Sequence, residues 1–249
     1  MRIWEDCRGT EHIGPLRGTL YRLVESQEQI ATLGYVDTLE EQALLEEMLE
    51  QAKPPYRDGT EELHYLLKSP FRYPPLRWGS RFGQVHEPAI FYGGCSIPTT
   101  LAESAYYRFL FWFSIDAPPI RKRIHSAHTL FSVGYRSEKG VRLHRPPFNR
   151  CRPELTHPVR YQACQLLGTD MRAAGVEAFE YTSARDVEGG RCVGLFHPAA
   201  LATNKPRGTS QWLCELSAEE VSFRQLSTNR ITSIAIDQFL VDDELPLPA

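Results

Sequence analysis

The sequence lacks the long hydrophobic run that a membrane-spanning helix requires. Its longest strongly apolar stretch is residues 109–113 with their neighbours, which falls far short of the roughly 20 residues needed to cross a bilayer. Residues 1–7 also lack the apolar core of a secretion signal. We therefore expect a cytoplasmic protein that does not associate with a membrane.

Several motifs that identify a cofactor site or a nucleophile are also absent. The 249 residues contain no G-x-x-x-x-G-K-[ST], no G-x-G-x-x-G, no G-x-S-x-G and no H-E-x-x-H. The six cysteines form no C-x-x-C pair, which argues against a structural zinc site. In a reducing compartment they are expected to be free thiols. The sequence therefore predicts neither a bound metal nor a doubly wound nucleotide-binding fold.

Charge is unevenly distributed, although the formal net charge is only −3. Residues 37–62 carry nine acidic side chains against Lys53 and Arg57, whereas residues 121–160 carry ten basic and two acidic side chains. Two solvated faces of opposite sign would explain this pattern. An anionic ligand or partner on the basic side would explain it equally well. The acidic segment could cover a basic cleft, bind a partner or extend the core, and the sequence does not choose between these roles.

Hydrophobic periodicity predicts a mixture of helices and strands without regular alternation. Strands are predicted near residues 18–25, 89–92, 129–133, 178–181, 192–196, 212–216, 221–225 and 231–236. Helices are predicted from an N-cap at Asp37 or Thr38 to Pro54, at 61–68, at 99–113 and at 158–174. This order predicts an α+β fold. We expect an N-terminal strand and an acidic helical elaboration over residues 1–64 and a main domain over residues 65–249, or one continuous domain.

Three residues at intervals of eleven, Arg81, Tyr92 and Glu103, are the candidates for a functional site. Arg81 follows Gly79-Ser80, where the backbone can approach a ligand closely, and Tyr92 ends a buried strand. Each also has an ordinary structural interpretation: a surface ion pair for Arg81, a core position for Tyr92 and a helix cap for Glu103. The cap is the strongest of these, because Thr100-Leu-Ala-Glu103 matches the capping box S/T-x-x-E.

Residues 65–200 resemble the RES domain family. The motifs that carry the resemblance are Phe71-Arg72-Tyr73, Gly79-Ser80-Arg81-Phe82, Pro88-Ala-Ile-Phe-Tyr92, Leu101-Ala-Glu103, Tyr181-Thr-Ser183-Ala-Arg and Gly194-Leu-Phe-His-Pro198. Two positions depart from the family pattern, since Ser80 replaces a glycine and Phe82 replaces the usual tryptophan. The short interval from Arg72 to Arg81 also leaves two choices for the first family arginine. Arg72 is favoured because Tyr73 follows it, and Arg22 in Leu20-Tyr-Arg-Leu-Val is the alternative.

The resemblance implies an ADP-ribosyltransferase-like fold of mixed small sheets with packed helices, and an enzyme that consumes NAD⁺. Members of the family hydrolyse or phosphorolyse NAD⁺ or transfer ADP-ribose to a protein, and many are toxins neutralised by an Xre-type antitoxin. The implied catalytic residues are Glu103, Arg81 and Tyr92, and the implied NAD⁺-binding residues are Arg72, Tyr73, Arg81, Tyr92 and Ser183.

The chemistry of NAD⁺ explains why residues of these types would bind it and cleave its glycosidic bond. Guanidinium groups such as those of Arg72 and Arg81 bind a diphosphate in bidentate fashion. An aromatic face such as Tyr92 or Tyr73 can stack on the nicotinamide cation. A carboxylate such as Glu103 stabilises the oxocarbenium-like ribose that forms when the glycosidic bond breaks. The reaction does not require a metal.

Two non-enzymatic hypotheses remain open at this stage. The basic region 121–160, with Phe131, Tyr135 and Phe148, could bind a nucleic acid, although the overall charge is negative and no recognised nucleic-acid motif is present. The departures at Ser80 and Phe82 also fit a domain that binds NAD⁺ without turning it over.

Overall fold

The structure is a computed structural model that describes residues 2–26, 35–116 and 122–247. The strands are β1 (Gly14–Glu25), β2 (Phe91–Gly94), β3 (Ile124–Arg142), β4 (Ala178–Thr182), β5 (Arg191–Leu195), β6 (Gly208–Leu216), β7 (Glu220–Gln225) and β8 (Ile231–Ala235). The helices are α1 (Ile3–Asp6), α2 (Leu39–Gln51), α3 (Tyr65–Arg72), α4 (Ile97–Phe113), α5 (Arg152–Leu155) and α6 (Gln162–Ala173). Arg121, where the basic region begins, lies outside the described residues.

The eight strands are hydrogen-bonded in the order β1-β2-β5-β4-β3-β6-β7-β8, and β1 also pairs with β3. This additional pairing closes the first five strands into a ring. β3 makes the closure possible because it is long: residues 128–140 pair with β1 along one edge, while the other edge pairs first with β6 and then with β4. The expectation of an α+β fold is confirmed.

Strand β1 belongs to the same sheet as the rest of the chain. It runs antiparallel to β3 from Gly14 to Glu25 and meets β2 at Tyr21 and Gly94. Leu16 and Leu20 on its inner face are buried beneath Phe91 and Phe131 in one cluster. Residues 14–25 therefore help to form the core that supports the main domain. None of the described helices combines the length and the hydrophobicity needed to cross a membrane.

Helix α4 begins earlier than the sequence predicts, and the difference matters for Glu103. The N-cap is Ser96, whose side chain accepts a hydrogen bond from the backbone N–H of Thr99. Pro98 then occupies the first turn, where its missing N–H costs nothing. Thr100 and Glu103 consequently lie inside the helix. The capping-box interpretation of Glu103 is wrong, because Ser96, four residues before Thr100, already provides the cap.

Helix α3 also differs from the expectation of a helix at 61–68 that ends before Pro70. It begins after His64, whose ring Nδ1 accepts a hydrogen bond from the N–H of Leu66, and it continues through Pro70 to Arg72. A proline inside a helix removes one hydrogen bond. The burial of Leu67 and Phe71, on either side of Pro70, offsets that loss.

Candidate functional site

A cavity of about 640 Å³ opens between β1, β2, α3 and α4. Its lining includes four of the residues predicted from sequence, which are Tyr73, Arg81, Tyr92 and Glu103. These residues come from a loop, a turn, a strand and a helix that are separated by up to 30 positions in the chain. The fold therefore brings the candidates at intervals of eleven residues to one cavity.

The turn at residues 79–83 presents Arg81. Gly79 has a φ of +77°, and a Cβ at this position would lie 2.4 Å from the carbonyl oxygen of Gly83, so glycine is required there. The turn is closed by a 2.7 Å hydrogen bond from the N–H of Ser80 to the same carbonyl. Arg81 Nη1 donates to the carbonyl of His157 at 2.9 Å, and the guanidinium lies 4.5 Å from the centre of the Tyr161 ring. The Arg81 side chain is thus held rigidly in a buried position.

Tyr92 connects β2 to this turn. Its hydroxyl accepts a 3.1 Å hydrogen bond from the backbone N–H of Phe82 and lies 3.0 Å from the Ser80 hydroxyl. Burial raises the pKa of the Tyr92 phenol well above its ordinary value, so the hydroxyl is neutral at physiological pH. The departures from the family pattern have local roles: Ser80 contacts Tyr92, and Phe82 is fully buried against Phe179.

Glu103 is held by a serine from the segment after β4. Ser183 Oγ donates to Glu103 Oε1 at 2.5 Å, and the Cys192 thiol lies 3.7 Å from the same oxygen. Within the described parts of the chain, no cationic nitrogen forms an ion pair with the Glu103 carboxylate within 4.0 Å. A carboxylate that faces a cavity and makes no direct ion pair there is suited to meet a positive charge in a ligand.

Ser183 positions Glu103 and does not face the cavity. Its oxygen accepts hydrogen bonds from the backbone N–H groups of Arg185 at 3.1 Å and Asp186 at 2.9 Å, while its proton goes to Glu103. A serine hydroxyl offers one donor and two acceptor positions. All three are used, so the expected hydrogen bond from Ser183 to a ligand is corrected to one from Ser183 to Glu103.

Arg72 lies outside the cavity lining, contrary to the prediction that it binds a diphosphate. Its Nε donates to the carbonyl of Pro54 at 2.5 Å, and its Nη1 pairs with Glu50 of α2 at 2.6 Å. The guanidinium also lies 4.0 Å from the centre of the Tyr56 ring. These contacts direct the side chain toward the acidic segment, and Arg72 is not part of the cavity lining.

Arg22, the alternative, does line the cavity. Its Nη1 donates to the carbonyl of Tyr92 at 2.8 Å, and its guanidinium lies 5.3 Å from the centre of the Phe91 ring. Burial lowers the pKa of Arg22 to about 10, which leaves it protonated at neutral pH. Its Nε is buried without a hydrogen-bond partner. The geometry therefore favours Arg22 over Arg72 as the arginine of the early strand.

Sequence reasoning missed several other residues of the lining, of which Arg185 and Tyr161 are the most relevant. Arg185 Nη2 donates to the Tyr161 hydroxyl at 3.1 Å and to the carbonyl of Pro158 at 2.8 Å. Its guanidinium lies 3.4 Å from the centre of the Tyr106 ring. Arg185 lies two residues after Ser183 in the motif Tyr181-Thr-Ser183-Ala-Arg, and its place in that motif could have identified it as a candidate site residue. Tyr161 had no such signal, because it precedes α6 in a loop.

The aromatic residues that were candidates for binding a nucleic acid are buried. Phe131 and Phe148 are at most 1% exposed and Tyr135 is 3% exposed. Tyr135 donates instead to the carboxylate of Glu180 at 2.6 Å. Stacking on bases requires exposed aromatic faces, so these three residues cannot perform that role.

Comparison with known protein families identifies the domain that contains this cavity. The family model of the RES domain matches residues 54–217, which is more than half of the chain. The chain belongs to the RES domain family. The match includes Arg81, Tyr92, Glu103 and Ser183, whereas β1 and α2 precede it. Arg22 and the acidic helix therefore lie outside the matched residues. Strand β1 joins the matched part of the chain through its pairing with β2 and β3, through the packing of Leu16 and Leu20, and through the hydrogen bond from Arg22 to Tyr92.

A search of solved structures finds a similar chain in the crystal structure of the M. tuberculosis MbcT–MbcA toxin–antitoxin complex. The two chains are 11% identical, the alignment covers 87% of this chain and 92% of that chain, and the TM-score is 0.48. No curated protein matches the sequence. The family assignment therefore depends on the RES sequence match.

The cavity of this RES domain combines three chemical elements. The Glu103 carboxylate is oriented by Ser183, the guanidinium groups of Arg22 and Arg81 are fixed by backbone carbonyls, and Tyr92 and Tyr73 supply aromatic surface. A carboxylate can stabilise a developing cation, and guanidinium groups can bind phosphates. The set suits a ligand that contains both a cationic ring and a phosphate.

Proposed function

We propose that this RES domain protein consumes NAD⁺ by breaking the bond between nicotinamide and ribose, as a glycohydrolase or a phosphorylase. The observation that carries the proposal is the placement of Glu103: its carboxylate is held by Ser183 and shares one cavity with Arg22 and Arg81. NAD⁺ has the corresponding chemistry, with a cationic nicotinamide at one end of a ribose and a diphosphate at the other.

In the proposed mechanism Glu103 acts at the ribose. As the glycosidic bond lengthens, positive charge develops at the anomeric carbon and nicotinamide leaves with the bonding electron pair. The Glu103 carboxylate stabilises that charge, and the hydrogen bond from Ser183 keeps one of its oxygens in a fixed direction. Water then attacks the anomeric carbon and loses one proton to the solvent, or inorganic phosphate attacks through one of its oxygens. The stacking of nicotinamide on Tyr92 is consistent with the exposure of that ring to the cavity.

We further propose that the protein acts as a cytoplasmic toxin and is neutralised by an Xre-type antitoxin. Its membership of the RES family supports this role, because the family resemblance implies a toxin that a neighbouring antitoxin blocks. An antitoxin that filled a cavity of about 640 Å³ would exclude a dinucleotide from Glu103. This simple occlusion would account for neutralisation without a conformational change.

The experiment that tests the function is product analysis with pure protein. NAD⁺ is incubated with the protein in phosphate-free buffer and in buffer containing inorganic phosphate, and the products are identified by mass spectrometry. Release of nicotinamide in both buffers, with ADP-ribose as the second product, indicates hydrolysis. Nicotinamide with ADP-ribose 1″-phosphate, formed only when phosphate is present, indicates phosphorolysis.

Two other outcomes would replace the proposal. An ADP-ribose adduct on an added protein, with little free ADP-ribose, would identify a protein ADP-ribosyltransferase. Saturable NAD⁺ binding without any product over hours, by a protein that is folded and free of a partner, would identify a binding module.

A further inference from the structure

One face of α4 lines the cavity over more than two turns. The residues on this face follow the helical spacing of three and four, and they are Thr100, Glu103, Ser104, Tyr107 and Arg108. Glu103 and Arg108 are five residues apart, which places them about 7.5 Å apart along the helix axis. The same helix thus presents to one ligand a carboxylate and, further along, a guanidinium.

The guanidinium of Arg108 is largely buried and incompletely paired. The side chain is 14% exposed, and Nε is buried without a hydrogen-bond partner. Nη2 donates to Ser126 Oγ at 3.3 Å, and Nη1 lies 3.7 Å from a carboxylate oxygen of Glu25, whose side chain is 67% exposed. An ion pair that is long and mostly solvated contributes little. A buried cation in this state is stabilised further when an anion binds beside it.

The other groups around Arg108 do not neutralise it. Ser126 Oγ lies 2.9 Å from His128 Nε2, and burial, reinforced by the charge of Arg108, lowers the pKa of His128 to about 4. Burial raises the pKa of the Cys214 thiol, which adjoins Arg108 and Ser126, to about 11. Both groups are therefore neutral near pH 7. The positive charge of Arg108 remains available to the cavity, opposed only in part by Glu25.

We propose that Arg108 is the binding residue for the diphosphate of the dinucleotide whose ribose meets Glu103. This inference rests on the proposed function and extends it, because it assigns the phosphate end of the ligand to the far end of the α4 face. The hydrogen bond to Ser126 holds the guanidinium in place, as a positioning contact. A guanidinium carries five N–H donors, and the single contacts of Nη1 and Nη2 leave donors on both nitrogens for the oxygens of a diphosphate.

Arg108 shares an unpartnered Nε with Arg22, but it differs from Arg22 and Arg81 in what holds its terminal nitrogens. Arg81 Nη1 is engaged by the carbonyls of Leu155 and His157, and Arg22 Nη1 is engaged by the carbonyl of Tyr92. Those backbone contacts fix the guanidinium groups within the protein. The polar contacts of Arg108 Nη1 and Nη2 are a carboxylate oxygen at 3.7 Å and a hydroxyl at 3.3 Å, both weaker, and the guanidinium also lies 5.0 Å from the centre of the Phe111 ring. A phosphate can therefore displace or supplement the polar contacts.

Binding measurements with ADP, adenosine and adenosine 2′-monophosphate test the inference, because ADP carries the diphosphate without nicotinamide. The dissociation constants are measured by calorimetry for the wild type, Arg108→Gln, Arg108→Lys and the control Arg136→Gln. Arg136 lies on β3, is exposed, and forms an ion pair with the exposed Glu138. We expect Arg108→Gln to weaken ADP binding at least tenfold, Arg108→Lys to weaken it less, and adenosine binding to change less than twofold.

Three results would overturn the inference. They are unchanged ADP binding by folded Arg108→Gln and Arg108→Lys proteins, an equal loss of ADP and adenosine binding, or a loss confined to adenosine 2′-monophosphate. A failure of the Arg108 assignment can be distinguished from a failure of the proposed NAD⁺-consuming function. If the wild type binds ADP through Arg108 but never consumes NAD⁺, the subsite stands and the enzymatic proposal fails. If the wild type consumes NAD⁺ while Arg108→Gln binds ADP normally, only the subsite assignment fails.

Discussion

Ser183→Ala is predicted to damage both stability and activity, and the hydrogen bonds of the Ser183 hydroxyl give the reason. The hydroxyl donates to Glu103 at 2.5 Å and accepts from the backbone N–H groups of Arg185 and Asp186 at 3.1 and 2.9 Å. Ser183 is only 4% exposed, so water cannot readily replace it. The substitution therefore leaves two backbone donors without their acceptor and frees one oxygen of Glu103.

The magnitude follows from those lost bonds. A buried donor left unpaired costs about 1–3 kcal/mol, so two such donors with some local relaxation cost about 3 kcal/mol. For a chain of 249 residues this corresponds to a fall in Tm of about 6–12 °C. Because Glu103 also loses its orientation, we expect the rate of NAD⁺ consumption to fall at least tenfold even below the melting temperature.

The assay combines urea unfolding at 25 °C with turnover at the same temperature, and Ser233→Ala is the matched control. The Ser233 hydroxyl contacts Ser222 at 2.7 Å on an exposed part of the sheet. Losing that contact is expected to change the free energy of unfolding by less than about 0.5 kcal/mol. A Ser183→Ala protein with the stability and turnover of the wild type would refute the assignment of Ser183 as the residue that holds Glu103.

Two further predictions concern arginine choice and pH. Arg22→Gln is expected to lower the rate of NAD⁺ consumption at least tenfold, because Arg22 lines the cavity. Arg72→Gln is expected to lower it less than twofold, because Arg72 is directed to Glu50. Initial rates of the two variants, measured in parallel, test this, and a larger loss in Arg72→Gln would identify Arg72 as the ligand-binding arginine. Burial lowers the pKa of His128 to about 4, so between about pH 6.5 and 4 the unfolded state binds a proton that the folded state does not, and the free energy of unfolding falls as the pH is lowered. Urea unfolding at pH 6.5 and at pH 4.5 gives the free energy of unfolding at each pH. The decrease between the two pH values should be about 2 kcal/mol smaller for His128→Asn than for the wild type. Equal decreases would contradict the assignment of a neutral buried His128.

Elements with local signals were predictable from the sequence. Thr38 caps α2, which ends before Pro54, and Gly175 follows α6 with a φ of +77°. These features depend on the preferences of single residues for caps and for positive φ. The β6–β7 hairpin was also predictable from a local signal, because two strands of alternating hydrophobicity flank a short polar turn.

The errors have a common physical origin in competing local signals and in distant pairing. Thr100 and Glu103 fit a capping box, but Ser96 fits a cap equally well, and the buried residues of α4 extend back to Thr99. Arg22 and Arg72 were both acceptable as the first arginine by spacing alone. The choice between them depends on the pairing of β1 with β2 and β3, which joins residues more than 70 positions apart. No local pattern in the sequence reports that pairing.

Comparison of NAD⁺ consumption by the wild type and by Glu103→Gln tests the central claim most directly. The glutamine amide oxygen can still accept the hydrogen bond from Ser183, so the free energy of unfolding should stay close to that of the wild type. The attraction between the Glu103 carboxylate and the positive charge that develops on the ribose is worth about 4 kcal/mol at a separation of about 4 Å in a partly solvated site, and Glu103→Gln removes it. We predict that the wild type releases nicotinamide and that Glu103→Gln, although equally stable, does so about a thousandfold more slowly. Equal rates for the two proteins would contradict the account.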